Sequence, residues 1–377
     1  MNETISLRSR CVNDTGLRRF GISRRNSIHM RYSHVMANPI MTATIRSLTV
    51  ASLLAAAVST SATASAQEPP APSLVSDVIR ISGADRYEVA ANIAAQMRQA
   101  AQRVVFVASG ETFPDALSAG PSTLPWKAEL LLVSRTSIPD KVVGEIRALN
   151  PVVIKIVGGV NSVSIDVEKS LHEIVPGASI ERIGGADRYE VSRNLSSLAI
   201  PRSNYTPFLA TGATFSDALS AGSAAGKGWN PLILVPGTAP GLDAPTRSAL
   251  TGLGTVGVTI VGGPLSVSPG IEAEVQNLAP TTRAGGANRY AASLAVNKLV
   301  FTAAKTAYLA TGENFPDALT GGVLAGTHAE PLYIVPGTCV PEGVLADFRR
   351  LGVEHVVLIG GPNSLSDDVF KLTSCGV

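Results

Sequence analysis

Residues 107–120 read VASGETFPDALSAG, residues 209–222 read LATGATFSDALSAG, and residues 309–322 read LATGENFPDALTGG. Each stretch opens as an apolar run fit for a buried strand, breaks at a Gly, and resumes with helical spacing. One block three times over makes internal repetition the first question about this chain. Working outward, a second block precedes each copy: RISGADRYEVAANIA at 80–94, RIGGADRYEVSRNLS at 182–196 and RAGGANRYAASLAVN at 283–297. A third block follows: IVGGVNSVS at 156–164, IVGGPLSVS at 260–268 and LIGGPNSLS at 358–366. Arg80, Arg182 and Arg283 open the copies at spacings of 102 and 101 residues.

Within the first copy, 104–108 (VVFVA), 130–133 (LLLV) and 152–157 (VVIKIV) read as strands covered on both faces. Between them, 87–97, 115–124, 140–149 and 165–174 carry apolar residues at helical spacing. Strand–helix alternation with short links predicts right-handed βαβ units on a parallel sheet. The fold class is therefore α/β, with three tandem modules at 78–178, 179–280 and 281–377. Residues 67–77 form a Pro-rich linker, expected to be extended.

The chain of 377 residues is 45% hydrophobic and 16% charged, which excludes bulk disorder. Residues 1–66 hold eight Arg, no Lys and two acids; the remainder has 23 basic and 27 acidic residues, a net charge of −4. That sign excludes a basic nucleic-acid binder. The apolar run at 48–58 (LTVASLLAAAV) follows Arg46 and precedes Ala64-Ser65-Ala66, the spacing signal peptidase reads. A secretory signal cleaved after Ala66 is expected, with an uncleaved anchor as the alternative; Met30, Met36 and Met41 offer later starts. No stretch after residue 67 is long and apolar enough to span a bilayer. In the exported part, Cys339 and Cys375 form an even pair, read as a disulfide rather than two free thiols.

The repeated polar residues each admit two readings. Asp115, Asp217 and Asp317 stand three residues after Thr112, Thr214 and Asn314, a capping-box spacing; they are structural or ligand-binding. Asp85 and Asp187 have the same form with Glu88 and Glu190, while the third copy has Asn288 and Ala291. Arg86, Arg188 and Arg289 open a helix, where a cation opposes the macrodipole, so an ion pair with the triplicated Asp or an external anion must compensate. Arg80, Arg182 and Arg283 form a second triplet, and guanidinium forks suit phosphate or carboxylate. The Gly-Gly pairs read as tight turns, since neither a Walker Lys nor a GxGxxG accompanies them. Trp126 and Trp229 are expected in the core, with sugar stacking as the alternative. His172, His328 and His355 fall at unrelated repeat positions, so no catalytic triad, metal site or cofactor is expected.

Taken together, the ordered blocks resemble the cell-wall-binding repeat 2 family of Gram-positive bacteria: R-x-x-G-x-D-R-Y, Phe-x-Asp-Ala-Leu, a Pro-led strand, and V-G-G…V-S. The resemblance covers the chain from about residue 80 onward. It implies three Rossmann-like modules about a pseudo-threefold axis, and non-covalent anchoring to an anionic wall polymer or peptidoglycan. Arg80, Arg86, Arg182, Arg188, Arg283 and Arg289 are then the candidate ligand contacts. The Pro-led strand occurs at Pro231 and Pro331, but Glu129 replaces the Pro in the first copy. Family members usually carry an effector domain, so a separate wall enzyme is a possible partner. The alternative expectation is a wall hydrolase of the amidase kind, or its helper, with a site between modules. A nucleotide-binding array lacks the glycine fingerprint.

Overall fold

The computed structural model describes residues 75–98, 104–199 and 204–376. The apolar run at 48–58, the expected cleavage after Ala66 and most of the linker lie outside the described residues.

The first repeat supplies β1 (Asp77–Ile81), α1 (Arg86–Met97), β2 (Val104–Ser109), α2 (Ala119–Thr123), β3 (Glu129–Val133), α3 (Asp140–Leu149), β4 (Val153–Val157) and α4 (Ile165–Ile174). The second supplies β5 (Ser179–Ile183), α5 (Arg188–Ser196), β6 (Phe208–Thr211), α6 (Ser216–Lys227), β7 (Leu232–Val235), α7 (Ala244–Gly252), β8 (Val258–Val261) and α8 (Pro269–Gln276). The third supplies β9 (Thr281–Ala284), α9 (Arg289–Val300), β10 (Thr306–Thr311), α10 (Pro316–Thr327), β11 (Leu332–Val335), β12 (Val340–Pro341), α11 (Glu342–Leu351), β13 (His355–Ile359), α12 (Asp367–Phe370) and β14 (Ser374–Cys375).

Three four-stranded sheets result, ordered β3-β2-β4-β5, β7-β6-β8-β9 and β11-β10-β13-β1, with every pairing parallel. Each sheet thus borrows its fourth strand from the repeat that follows. The last sheet takes β1 from the first repeat, Asp77 pairing with His355 and Ile81 with Ile359, and the ring closes. The modules are consequently interlocked, each seam being a shared sheet edge.

The strands are nearly all apolar because both faces are covered. On the outside of the first sheet, Val142 and Ile146 of α3 and Val167 and Leu171 of α4 close a separate cluster over Ile154 and Ile156. On the inside, all three sheets face one core around α2, α6 and α10. These central helices are rich in small residues and approach closely. A β-carbon on Gly226 would stand 3.2 Å from the Gly326 Cα and 2.3 Å from Leu124 Cδ1.

One helix departs from expectation. The sequence predicts a helix over 115–124, yet α2 begins only at Ala119 and gives way to a 3-10 turn at Leu124–Trp126. Pro121 stands where α6 has Ser223 and α10 has Val323. A Pro has no N–H and clashes with the carbonyl four residues back, so this helix cannot start as early.

Beyond α12, Cys339 and Cys375 form the expected disulfide, with Cα atoms 5.9 Å apart. It fastens the last strand, β14, beside β12.

Candidate functional site

The site is assembled where the strands end. Taking the strands of each sheet in chain order from β2, β6 or β10, the first is followed by the Phe-x-Asp segment, the third by the Gly-Gly turn, and the borrowed fourth by the next repeat's Asp-Arg-Tyr, or Asn-Arg-Tyr after β9. The first and third strands are neighbours, and the chain turns off in opposite directions from them. This is the switch-point crevice where parallel α/β sheets bind ligands.

At the pseudo-threefold axis the rings of Phe113, Phe215 and Phe315 meet edge to face or tilted, with centroids 5.7, 5.8 and 6.1 Å apart. Around them stands a crown of arginines. Arg86 lies over Phe315 at 5.9 Å, Arg188 over Phe113 at 5.7 Å and Arg289 over Phe215 at 5.6 Å. Each donates Nη1 to a carbonyl, Gly110 O at 2.6 Å, Gly212 O at 2.6 Å and Gly312 O at 2.5 Å. Those glycines are required by proximity: a β-carbon on Gly110 would meet Tyr87 Cε1 at 2.6 Å and Arg86 Cδ at 3.3 Å. None of the three arginines has a carboxylate within ion-pair distance among the described residues. Ring face and carbonyl together therefore offset the unfavourable helix-start position.

The triplicated aspartates serve a different device from the expected capping box. The N-caps of α6 and α10 are Phe215 and Phe315, without side-chain bonds. Instead Ser162 Oγ donates to Asp115 Oδ2 at 2.5 Å, and Ser266 and Ser364 donate to Asp217 and Asp317. Burial pushes Asp217 and Asp317 above the usual carboxylate range, against the pull of the serine and of Arg289 and Arg86 respectively. Each carboxylate lies under the first Gly of the Gly-Gly turn. Gly158, Gly262 and Gly360 have φ of +103°, +110° and +117°, and a β-carbon there would fall 2.4–2.5 Å from the Asp Oδ2. Asp85 and Asp187 do cap as expected, each accepting from the N–H groups two and three residues on.

The other arginine triplet is spent inside the seams. Arg182 forks onto Glu168 Oε2 at 3.0 and 2.6 Å and reaches Gly158 O and Val163 O. Arg283 does the same with Glu272, Gly262 O and Val267 O. Arg80 reaches Gly360 O at 2.9 Å but has Phe370 where the others have Glu; it lies over that ring at 5.7 Å, and its buried Nη2 has no partner.

Two clefts open at the seams. The one joining the third and first repeats, about 430 Å³, is lined by Gly83–Arg86, Val89, Asn314, Pro316, Asp317 and residues 361–364. The one joining the first and second, about 270 Å³, repeats these positions as Thr112, Pro114, Asp115, Gly159, Asn161, Ser162, Gly185–Arg188 and Val191.

Elsewhere the expectations divide. Trp126 and Trp229 are not core residues; they are 40% and 48% exposed, and Lys155 Nζ lies 5.1 Å over the Trp126 ring. The histidines stay apart: His328 bonds Tyr308 Oη at 2.7 Å, His355 pairs with Asp77, and His172 is exposed. Among the described residues no group of His, Cys, Asp or Glu could hold a metal. Glu129 is fully buried in β3 with neither carboxylate oxygen bonded, and desolvation raises it to about 7. The Phe of the Phe-x-Asp-Ala-Leu block is visible in the sequence, but the meeting of its three copies is not, because it needs the closed ring of repeats.

Comparison with known proteins finds the same three repeats. Residues 80–168, 182–272 and 283–370 match the model of Cell wall binding domain 2. The chain is 26% identical over 293 residues, 78% of its length, to N-acetylmuramoyl-L-alanine amidase LytC of Bacillus subtilis (strain 168), covering 57% of that protein. It is 27% identical over 291 residues, 77% of its length, to the amidase enhancer of the same organism, covering 39% of it. Among solved structures, Cwp6 from Clostridium difficile superposes with a TM-score of 0.73 at 26% identity, over 79% of this chain and 48% of that one. Cwp8 from Clostridium difficile gives 0.70 at 25% identity, over 78% and 51%. The chain spans about half the length of these relatives.

Proposed function

Because the chain belongs to the cell wall binding domain 2 family, we propose that it is an exported, non-catalytic protein held non-covalently on a wall polymer through its repeats. The observation that carries this reading is the family match in all three copies. The crown of Arg86, Arg188 and Arg289 is the proposed contact for the polymer's anionic groups. Its guanidinium groups keep donors beyond the one each spends on a Gly carbonyl. Arg80, Arg182 and Arg283, bonded within the seams, then orient the neighbouring loops and do not meet the polymer themselves. Weak contacts repeated around one axis gain avidity on a single chain of polymer. The net charge of −4 after residue 66 opposes a polyanion overall, so attraction is local and falls with salt.

Export follows the expected signal, with cleavage after Ala66. A separate wall enzyme is a fitting partner, since the named relatives are an amidase and an amidase enhancer. The test is co-sedimentation of the protein with purified walls. Binding is expected to weaken between 50 and 500 mM salt, on the order of a hundredfold for two or three neutralised charges. Undiminished binding by a folded protein with Arg86, Arg188 and Arg289 all changed to Ala rejects the crown as the contact. A clearing zone on a wall-containing gel rejects the non-catalytic reading.

A further inference from the structure

The two seam clefts differ from the third seam in a way the repeats alone do not explain. Each cleft has an apolar floor of Val and Pro: Val89 with Pro316, and Val191 with Pro114; both Val and Pro316 are buried, so little of their surface is open. Opposite stands an amide, Asn363 or Asn161, exposed and without a hydrogen bond to any described residue. At the seam of the second and third repeats all three positions change, to Ala292, Ser216 and Leu265, and Leu265 is 95% exposed.

The charges in the clefts decide what fits. Each cleft sets two carboxylates against one guanidinium: Asp85 and Asp317 with Arg86, Asp115 and Asp187 with Arg188. A phosphate or carboxylate held by the crown guanidinium therefore stays at the rim, on the side of Phe315 or Phe113, because further into the cleft it meets a surplus of like charge. A hydroxylated, uncharged ring meets none. Its hydroxyls donate to the carboxylates and accept from the guanidinium and amide, and its C–H edge reaches the Val–Pro floor.

We propose that these two clefts each take an uncharged sugar unit of the wall polymer, and that the third seam does not. This rests on the wall-binding reading but is separable from it. The experiment is calorimetric titration of the full chain with two probes: the neutral glycan released from purified walls by hydrofluoric acid, and the intact walls' soluble, phosphate-bearing polymer. Expected for the neutral glycan are two sites per chain and an affinity changing less than twofold between 50 and 500 mM NaCl. Asn161→Leu and Asn363→Leu should each remove one site, and the double variant both. Leu265→Asp, at the third seam, should leave the stoichiometry at two. Melting curves confirm that these surface variants fold. If the neutral glycan fails to bind while the intact polymer binds, the cleft assignment is wrong and wall binding stands. Neutral-glycan binding that survives the double Asn variant likewise places the sugars elsewhere. If neither probe binds, the wall reading itself falls.

Discussion

The two internal seams and the seam that closes the ring do the same job with different chemistry. Internally, the chain runs from α4 into β5 and from α8 into β9, so the borrowed strand is delivered by continuity. Arg182 and Arg283 then lock it with a forked ion pair to Glu168 and Glu272. At the closing seam β1 comes from the other end of the chain, 278 residues from its partner in β13. Its Arg80 has a phenyl ring in place of the carboxylate and one buried donor unbonded. In compensation the disulfide fastens the chain beyond α12, the element that carries Phe370. Where covalent continuity is missing, the side-chain lock is also weaker, so the closing seam is the place where the ring should open first.

The largest effect is expected from removing β1. Deleting residues 67–82 strips the edge strand from the third sheet and uncovers β13. Five residue pairs are lost, on the order of 5 kcal/mol at about 1 kcal/mol per backbone bond. Amide exchange should then be fast in β13 and unchanged in β4 and β8. Uniform protection in all three would mean that the seams are not the units of stability. Next come the locks themselves. Arg182→Ala leaves Glu168 half-buried and unpaired, at a cost of about 3 kcal/mol. Arg80→Ala orphans no carboxylate and removes an imperfectly bonded donor, so about 1 kcal/mol is expected. Urea midpoints give the order, and equal losses would contradict the difference between the seams.

Much of this was legible beforehand, for a physical reason. Apolar strand runs and Gly breaks are local signals, and triplication makes them unmistakable; the three parallel sheets follow from them, and the Cys339–Cys375 bond from the even pair of cysteines in the exported part. The shared edges were not legible. The blocks show where a repeat begins in sequence, but the RIG and RAG strands pair with the preceding repeat and the RIS strand with the last, and nothing local marks that. The role of the aspartates is not legible, because Thr-x-x-Asp looks the same whether the Thr caps or not; the serine that bonds Asp115 is 47 residues away. The tryptophans came out exposed because both sit in turns ahead of a strand. Trp229 itself holds φ of 51°, a turn conformation.

Stability also depends on pH, through Glu129 of β3, at the sheet edge away from the seam. Its folded value of about 7 exceeds the unfolded 4.5, raised first by desolvation and then by Glu145, with Arg98 opposing. Between those values the folded chain holds more protons than the unfolded one. Stability is therefore lost as pH rises from 4.5 to 7, by up to ~3 kcal/mol. Glu129→Gln should flatten that slope, matching the wild type near pH 4.5 and melting higher at pH 8. Seam variants compared in this background would report the seams without the first sheet's own titration. An unchanged slope in thermal melts would mean that Glu129 ionises at its ordinary value.

The smallest effect is the sharpest test of the comparison. Phe370 occupies the register position of Glu168 and Glu272, and Arg80 already faces it. Phe370→Glu should supply the missing carboxylate and bond the free Nη2. The gain is limited, since the cation–π contact is lost and Asp367 and Asp368 add like charge nearby. A net change of roughly +0.5 to +1 kcal/mol is expected, the range of a partly exposed pair. The double-mutant cycle carries the argument. With Glu at 370, Arg80→Ala should become as costly as Arg182→Ala is in the wild type, because it now orphans a carboxylate. If the coupling stays near zero, the weakness of the closing seam lies in its broken continuity alone, and the arginine fork contributes little at any of the three.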